Sequence, residues 1–155
     1  MSIQRRYEGA AAVGAKGDRA WQLVMTDPET GLPNHLVVQD RLDQALARRP
    51  RHGGEVVVCS ITLDNLHLLT EEHGPAAGNQ IIREVARRLT EALRTEDTVG
   101  RVGASELVGI VTVRDKANVP TVVDRLAQAL AEPVDAGTAS VVLEATVDVR
   151  VSDQI

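Results

Sequence analysis

Residues 101–111 read Arg-Val-Gly-Ala-Ser-Glu-Leu-Val-Gly-Ile-Val, and this stretch decides the fold prediction. Two apolar runs flank a tip at residues 103–105 that contains a glycine, a pattern typical of a β-hairpin. We therefore expect two paired strands, over 98–102 and over 106–113.

The elements around this hairpin follow from hydrophobic periodicity. Nearly continuous β-branched residues over 55–63 indicate a buried strand. An apolar stripe at helical spacing over 76–93 indicates the clearest helix of the chain. The remaining predictions are a helix capped by Asn34, a turn over 48–54, a short helix through Leu69, a helix over 120–131 and a strand over 140–151. This order suits an α+β sheet with helices packed on it.

Composition limits the classes of partner. The chain has 155 residues, of which 43% are apolar, enough for one domain with a real core. A net charge of −5 and an aromatic content of 1% argue against nucleic-acid binding, which favours basic patches and aromatic stacking platforms. No apolar run approaches the ~20 residues that span a bilayer, and no secretory pattern opens the chain. We therefore expect no membrane partner and a cytoplasmic location. The single Cys59 is expected to be buried.

Three further blocks stand in the order of motifs from a known enzyme family. Residues 27–34 read Asp-Pro-Glu-Thr-Gly-Leu-Pro-Asn, residues 56–67 read Val-Val-Val-Cys-Ser-Ile-Thr-Leu-Asp-Asn-Leu-His, and residues 70–79 read Thr-Glu-Glu-His-Gly-Pro-Ala-Ala-Gly-Asn. They resemble the family's Asp-x-Leu-Thr-Gly-Leu-x-Asn, Asp-x-Asp-x-Phe-Lys and Asn-Asp-x-x-Gly-His-x-x-Gly-Asp motifs. The hairpin tip resembles Gly-Gly-Asp/Glu-Glu-Phe. The chain thus resembles the GGDEF family of diguanylate cyclases over residues 25–151.

The resemblance implies an α+β fold of the GGDEF or nucleotide-cyclase-like kind, with a central sheet that contains antiparallel strands and is flanked by helices. We divide the chain into a flexible or helical leader at 1–24 and a degenerate GGDEF-like domain at 25–155. Family members continue with another helix and a basic Lys-x-x-Gly-Arg-Asn-like tail, which this sequence lacks before it ends at Ile155. We expect this difference to weaken any phosphate site for GTP.

The resemblance also places neutral residues where the family holds its metal ions. Thr62 stands at the first metal aspartate, and Ser105 stands at the acid of the hairpin tip, next to Glu106, which matches the family. A two-metal phosphoryl transferase needs carboxylates to hold its cations against a triphosphate. We therefore predict a degenerate cyclase with no catalytic residues, no magnesium cofactor and no enzyme activity.

The positions that recognise guanine in the family are changed as well. Thr70 and Asn79 stand where the family has an asparagine and an aspartate, and an amide cannot offer the two acceptor oxygens of a carboxylate. His67 stands at the family's basic position and is mostly neutral at pH 7. Binding of GTP at this end of the sheet is therefore expected to be weak.

A second site of the family is matched better. Arg94 and Asp97 form an Arg-x-x-Asp motif ahead of the hairpin, and Arg125 lies 22 residues after Gly103. In active family members these positions form the inhibitory site that binds cyclic di-GMP, the reaction product. An arginine fork can bridge a guanine edge or a phosphate, and an aspartate can accept from guanine N–H groups. We interpret the chain as an inactive GGDEF-like domain that binds cyclic di-GMP and signals to a protein partner.

Two alternatives remain open at this point. A ligand-independent interaction or dimerisation module would keep the fold only, and Arg94 and Asp97 would then be a weak surface pair at a helix end. The third reading is GTP binding without turnover. The partners under consideration are thus cyclic di-GMP, a protein that the sequence does not name, and a second copy of this chain.

Overall fold

The structure, a computed structural model, describes residues 24–52 and 54–155, so nearly all of the leader predicted at 1–24 lies outside the described residues. In chain order its elements are α1 (His35–His52), β1 (Glu55–Leu63), α2 (Leu66–His73), α3 (Pro75–Ala92), β2 (Thr98–Gly103), β3 (Glu106–Val113), α4 (Val119–Ala131), β4 (Val134–Asp135), β5 (Ser140–Val141) and β6 (Ala145–Val151). Within this part of the chain, no helix is long and apolar enough to cross a bilayer.

The main sheet has four strands in the order β2-β3-β1-β6, and every neighbouring pair is antiparallel. Together with the helices between them, these strands follow the β-α-β-β-α-β pattern. Strands β4 and β5 form a separate two-stranded ribbon. The predicted α+β class with an antiparallel-containing sheet is confirmed.

Both faces of the sheet are covered by helices. On one face, α3 and α4 bury an apolar cluster that includes Ile61, Ile82 and Leu126. On the other face, α1 covers a smaller cluster of Val38, Val56, Val108 and Ile110. A burial pattern of this kind needs apolar residues on both faces of the central strand, which explains the β-branched run of β1.

Cys59 lies in the middle of β1 and is fully buried, as the sequence predicted. Burial is the main cause that raises the pKa of its thiol, to about 11, and the nearby Asp97 carboxylate adds to the effect. The thiolate is the reactive form of cysteine, so a buried thiol with a raised pKa is inert at neutral pH.

Helix α1 begins as predicted but ends later. The Asn34 side-chain Oδ1 accepts from the backbone N–H groups of Leu36 at 3.0 Å and Val37 at 3.3 Å, which caps the helix. The turn predicted at 48–54 is wrong, because α1 continues to His52. The Arg49 side chain reaches forward to the Glu55 carboxylate at 3.1 Å, which joins the last turns of α1 to the start of β1.

Two other boundaries also differ from the prediction. The helix expected through Leu69 continues to His73. The strand expected over 140–151 is divided into β5 and β6, which belong to different sheets. The Asn65 side chain causes this division, because its amide donates to Val142 O at 2.9 Å and its Oδ1 accepts from Glu144 N–H at 2.9 Å. These contacts join residues 142–144, which are not part of a strand, to the turn that follows β1.

Candidate functional site

The end of β1 and the hairpin tip bring Thr62, Ser105 and Glu106 of the altered catalytic motif together with Asp64, the aspartate of the motif block at 56–67. In the strand register Thr62 is paired with Glu106, and the N–H of the next residue, Leu63, donates to Ser105 O at 2.8 Å. Asp64 follows directly and accepts a hydrogen bond from the Thr146 hydroxyl at 2.7 Å. The sequence motif therefore corresponds to a real spatial cluster.

The donors in this cluster are poorly suited to metal ions. Thr62 and Ser105 supply neutral hydroxyls, and one oxygen of the exposed Asp64 is already engaged. Among the described residues, no group of three or more His, Cys, Asp or Glu side chains could hold a metal ion. The carboxylates of this cluster are therefore Asp64 and Glu106, while the two positions at which the resemblance puts metal carboxylates, Thr62 and Ser105, carry hydroxyls.

The guanine-recognition positions lie at the junction of α2 and α3. The Thr70 hydroxyl donates to Leu66 O at 2.8 Å, so it is committed to its own helix. Gly78 lets the two helices approach closely, because a Cβ at this position would collide with the Thr70 side chain. Asn79 is exposed, and the exposed His67 ring lies 3.0 Å from the Glu71 carboxylate.

Arg101 holds the hairpin tip to the loop before α1, a role that the sequence analysis missed. Its guanidinium donates to Ala104 O at 2.7 Å and pairs with the Asp27 carboxylate at 3.2 Å. Burial raises the pKa of Asp27, but hydrogen bonds from Thr30 and the charge and hydrogen bonds of Arg101 outweigh it and hold the pKa below its usual value. Arg101 lies in the quoted stretch 101–111 and Asp27 in the quoted stretch 27–34, so these motifs were the signal from which the contact could have been predicted.

A cleft between the α3–β2 connection, the end of β3 and α4 contains all three residues predicted to bind cyclic di-GMP. It has a volume of about 420 Å³ and is lined in part by Arg94, Asp97 and Arg125. Arg94 and Asp97 lie in the connection between α3 and β2, and Arg125 lies on α4. We call this the Arg94–Asp97 cleft.

The geometry of the cleft leaves cationic groups available. The Asp97 carboxylate accepts from the Arg94 backbone N–H at 2.8 Å through Oδ2, which fixes the turn into β2. The guanidinium groups of Arg94 and Arg125 are exposed, and in the described part of the chain neither forms an ion pair. Two free forks and one oriented carboxylate therefore face the same space.

Asp97 is electrostatically unusual. Burial raises the pKa of this carboxyl above its usual value, and the neighbouring charge of Glu96 adds to the effect. The Arg94 backbone hydrogen bond and the charges of Arg94 and Arg125 offset this only in part. A carboxylate that is costly to keep charged, in a cleft with arginines, is a recognised mark of a binding position.

The cleft also includes polar residues that the sequence analysis did not name, namely Arg114, Asn118 and Thr121. Arg114 follows β3 directly, and Asp97 precedes β2 directly. Because β2 and β3 are antiparallel, the start of one lies beside the end of the other. The place of Arg114 beside Asp97 could therefore have been predicted from the hairpin alone.

Comparison with known proteins agrees with this architecture. The family model described as "Diguanylate cyclase, GGDEF domain" matches residues 24–154. This chain belongs to the GGDEF domain family.

Diguanylate cyclase DgcP of Pseudomonas aeruginosa is 32% identical over 110 residues, which are 71% of this chain and 16% of DgcP. This chain therefore corresponds to one part of a much longer relative. The crystal structure of a sensory box/GGDEF family protein from Caulobacter crescentus CB15 has a TM-score of 0.78 at 28% identity and covers 82% of this chain and 83% of that chain. The GGDEF domain of DgcB from Caulobacter crescentus, solved with c-di-GMP, has a TM-score of 0.70 at 20% identity, covers 81% and 77%, and shares the fold.

Proposed function

We propose that this GGDEF domain is a receptor for cyclic di-GMP that does not make it, and that it passes the bound state to a protein partner. The observation that carries the proposal is the Arg94–Asp97 cleft. Two arginine forks and an oriented carboxylate line one cleft, although Arg125 lies on a separate helix. The altered catalytic cluster at Thr62 and Ser105, by contrast, offers neutral hydroxyls where metal carboxylates are needed.

The chemistry of the cleft suits a cyclic purine dinucleotide. Guanine presents two acceptors on its O6 and N7 edge, which match an arginine fork. The phosphates of the dinucleotide match the same fork in a bidentate way. The remaining oxygen of Asp97 can accept from the guanine N1–H and N2–H₂ donors. Arg94 and Arg125 therefore supply charge and fork geometry, and Asp97 supplies selectivity for guanine.

Relatives of this chain support the choice of ligand. DgcP is named a diguanylate cyclase, an enzyme whose product is cyclic di-GMP, and the DgcB GGDEF domain was solved with that molecule. A domain of this family with a retained product cleft and a neutral catalytic cluster can still detect the product.

Titration calorimetry of cyclic di-GMP with the parent and single variants tests the proposal. Arg94→Ala and Asp97→Ala should each weaken binding by about thirtyfold, on the order of 2 kcal/mol, because each leaves a desolvated ligand group without its partner. Arg125→Ala should weaken binding less, if α4 only closes over the ligand.

Three control variants separate this cleft from other surfaces. Thr62→Ala and Asn79→Ala lie at the catalytic and guanine positions and should leave the affinity unchanged. Arg48→Ala removes an exposed arginine of α1 that does not line the cleft, and should do the same. A loss at Asn79 equal to that at Asp97 would move the ligand to the other site. Equal losses at all arginines would indicate only general charge attraction.

A further inference from the structure

Strand β6 forms one edge of the main sheet, and in the described part of the chain no strand pairs with its outer side. The opposite edge of the sheet, formed by β2, contacts other parts of the chain. There the Arg101 N–H donates to Pro33 O at 2.9 Å, and Gly100 packs so closely that a Cβ would collide with Val38 of α1. The β2 edge is thus partly covered, whereas the β6 edge is open.

The hydrogen bonds of β1 identify which backbone groups of β6 point outward. Along an antiparallel strand, successive residues direct their N–H and C=O groups to alternate neighbours. The Leu63 N–H donates to Ser105 O on the β3 side, and the Asp64 N–H donates to Glu144 O on the β6 side. Even-numbered residues of β1 therefore bond to β6.

In the register of this pair, Ser60 lies opposite Asp148 and Val58 lies opposite Arg150. The backbone groups of Asp148 and Arg150 are consequently used on β1. The N–H and C=O groups of Val147 and Val149 point away from the sheet, while their side chains pack against the core. Outward donors and acceptors of this kind, which no described residue uses at Val147 and Val149, are a template for pairing with another strand.

The side chains of this edge carry alternating charge. Asp148 and Arg150 are both exposed and flank Val149 on the same face of the strand. Neither forms an ion pair within the described residues. An edge protected only by like charges would repel a second copy, but one acid and one base at this spacing are self-complementary.

We propose that β6 is an interaction surface for a second copy of this chain, with the two β6 strands antiparallel about a twofold axis at Val149. In this register Val149 exchanges two backbone hydrogen bonds with Val149 of the partner subunit. Asp148 then lies opposite Arg150 of the partner subunit, and the symmetry repeats this pair. The two four-stranded sheets become one continuous sheet.

Charge selects this register from its neighbours. In the paired strands, residues whose backbone groups point outward must lie opposite residues of the same kind. The possible registers therefore differ by steps of two in the sum of the two paired residue numbers. Centring the axis on Asp148 would place two carboxylates directly opposite each other, which is destabilising. Centring it on Val149 gives two opposite-charge pairs in close non-hydrogen-bonded positions.

Sedimentation equilibrium over a range from low to high micromolar concentration tests the proposal, without cyclic di-GMP. The parent should associate to a dimer and no further. Arg150→Asp and Asp148→Arg should each weaken the dimer by on the order of tenfold or more, because each creates two like-charge pairs. The double variant that carries both changes should restore the parent's affinity. Arg48→Asp, the same charge change on α1, should have no effect.

Amide hydrogen exchange provides an independent measurement. Val149 should exchange more slowly as concentration rises, while thermal melts show that all variants remain folded. A parent that stays monomeric throughout overturns the proposal. So does a dimer that the double variant fails to restore, or one without slower exchange at Val149, since the interface would then lie elsewhere.

Discussion

At the scale of single residues, Asp97 carries a carboxylate that folding moves into a half-buried environment. Burial and the Glu96 charge raise the pKa of Asp97 above its usual value of 3.8. Because the folded state then binds a proton more readily than the unfolded chain, the ionised form costs stability at neutral pH, and this cost is relieved as pH falls through the raised pKa.

We therefore predict opposite effects of Asp97→Asn on stability and on binding. Asparagine keeps an oxygen that can accept from the Arg94 N–H but carries no charge, so the thermal midpoint at pH 7 should rise. Binding of cyclic di-GMP should be lost, because the amide cannot replace the carboxylate acceptor. Thermal denaturation and calorimetry on the same sample measure both. A lower midpoint at pH 7 would mean that the charge stabilises the fold.

Arg88 is a single residue with a purely structural role, which is to bind the carbonyl oxygens at the end of α4. Its guanidinium donates to the carbonyl oxygens of Ala129 at 3.2 Å, Glu132 at 2.7 Å and Pro133 at 2.6 Å, and so caps the end of α4. Its Nε also contacts the Glu84 carboxylate at 3.1 Å.

Replacing Arg88 by methionine should lower the free energy of unfolding by about 2 kcal/mol, since three carbonyls lose a charged donor. Arg87→Met is the matched control on the same helix. Arg87 is exposed and, among the residues that the structure describes, its ion pairs are with Glu84 and Glu91, so its loss should matter little. Urea denaturation of the two variants compares them. Equal losses of unfolding free energy in the two variants would show that the hydrogen bonds from Arg88 to the end of α4 do not explain its contribution.

At the scale of elements, the hairpin and the loop before α1 act as one unit through Arg101 and Asp27. Hydrogen bonds from Thr30 and Arg101 hold the pKa of Asp27 below its usual value despite burial. A carboxyl whose folded pKa is lowered contributes stability that is present above its unfolded pKa, near 3.8, and is lost as pH falls through the folded value.

Asp27→Ala should accordingly destabilise the protein at pH 7 by about 2 kcal/mol, because hydrogen bonds to a charged acceptor are lost. The difference from the parent should shrink as the pH falls below about 4. Thermal midpoints of both proteins across this pH range provide the measurement. A difference that does not depend on pH would assign the effect to packing and not to the charge.

The elements were predictable where local pattern decides and not where distant contacts do. The apolar patterns that predict β1 and the two hairpin strands lie within the strands themselves. The predicted bounds of these strands match the structure to within one residue. The division of the last strand depends on Asn65, far away along the chain, and no local pattern reports it. The Arg94–Asp97 cleft was predicted from family spacing, and its Arg114 wall follows from the hairpin, whereas the Arg88 cap depends on how α4 packs.

At the scale of the whole molecule, the fold of the family is kept, while Thr62 and Ser105 place neutral hydroxyls beside the carboxylates of Asp64 and Glu106 at one end of the sheet. We predict that the protein forms no cyclic di-GMP from GTP in the presence of Mg²⁺ or Mn²⁺. Thr62 and Ser105 cannot hold the cations that carry phosphoryl transfer in this family. Chromatography of the reaction against a control without protein measures this. Product above the control would show that other groups supply the metal site.

The most direct test of the receptor proposal is a calorimetric titration of the parent protein with cyclic di-GMP, beside a titration with GTP and Mg²⁺. We expect saturable binding of cyclic di-GMP and much weaker or no binding of GTP. No heat of binding for cyclic di-GMP at high micromolar concentration would contradict it and favour the ligand-independent interaction module. Tight binding of GTP alone would instead assign the site to the Thr70 and Asn79 end of the molecule.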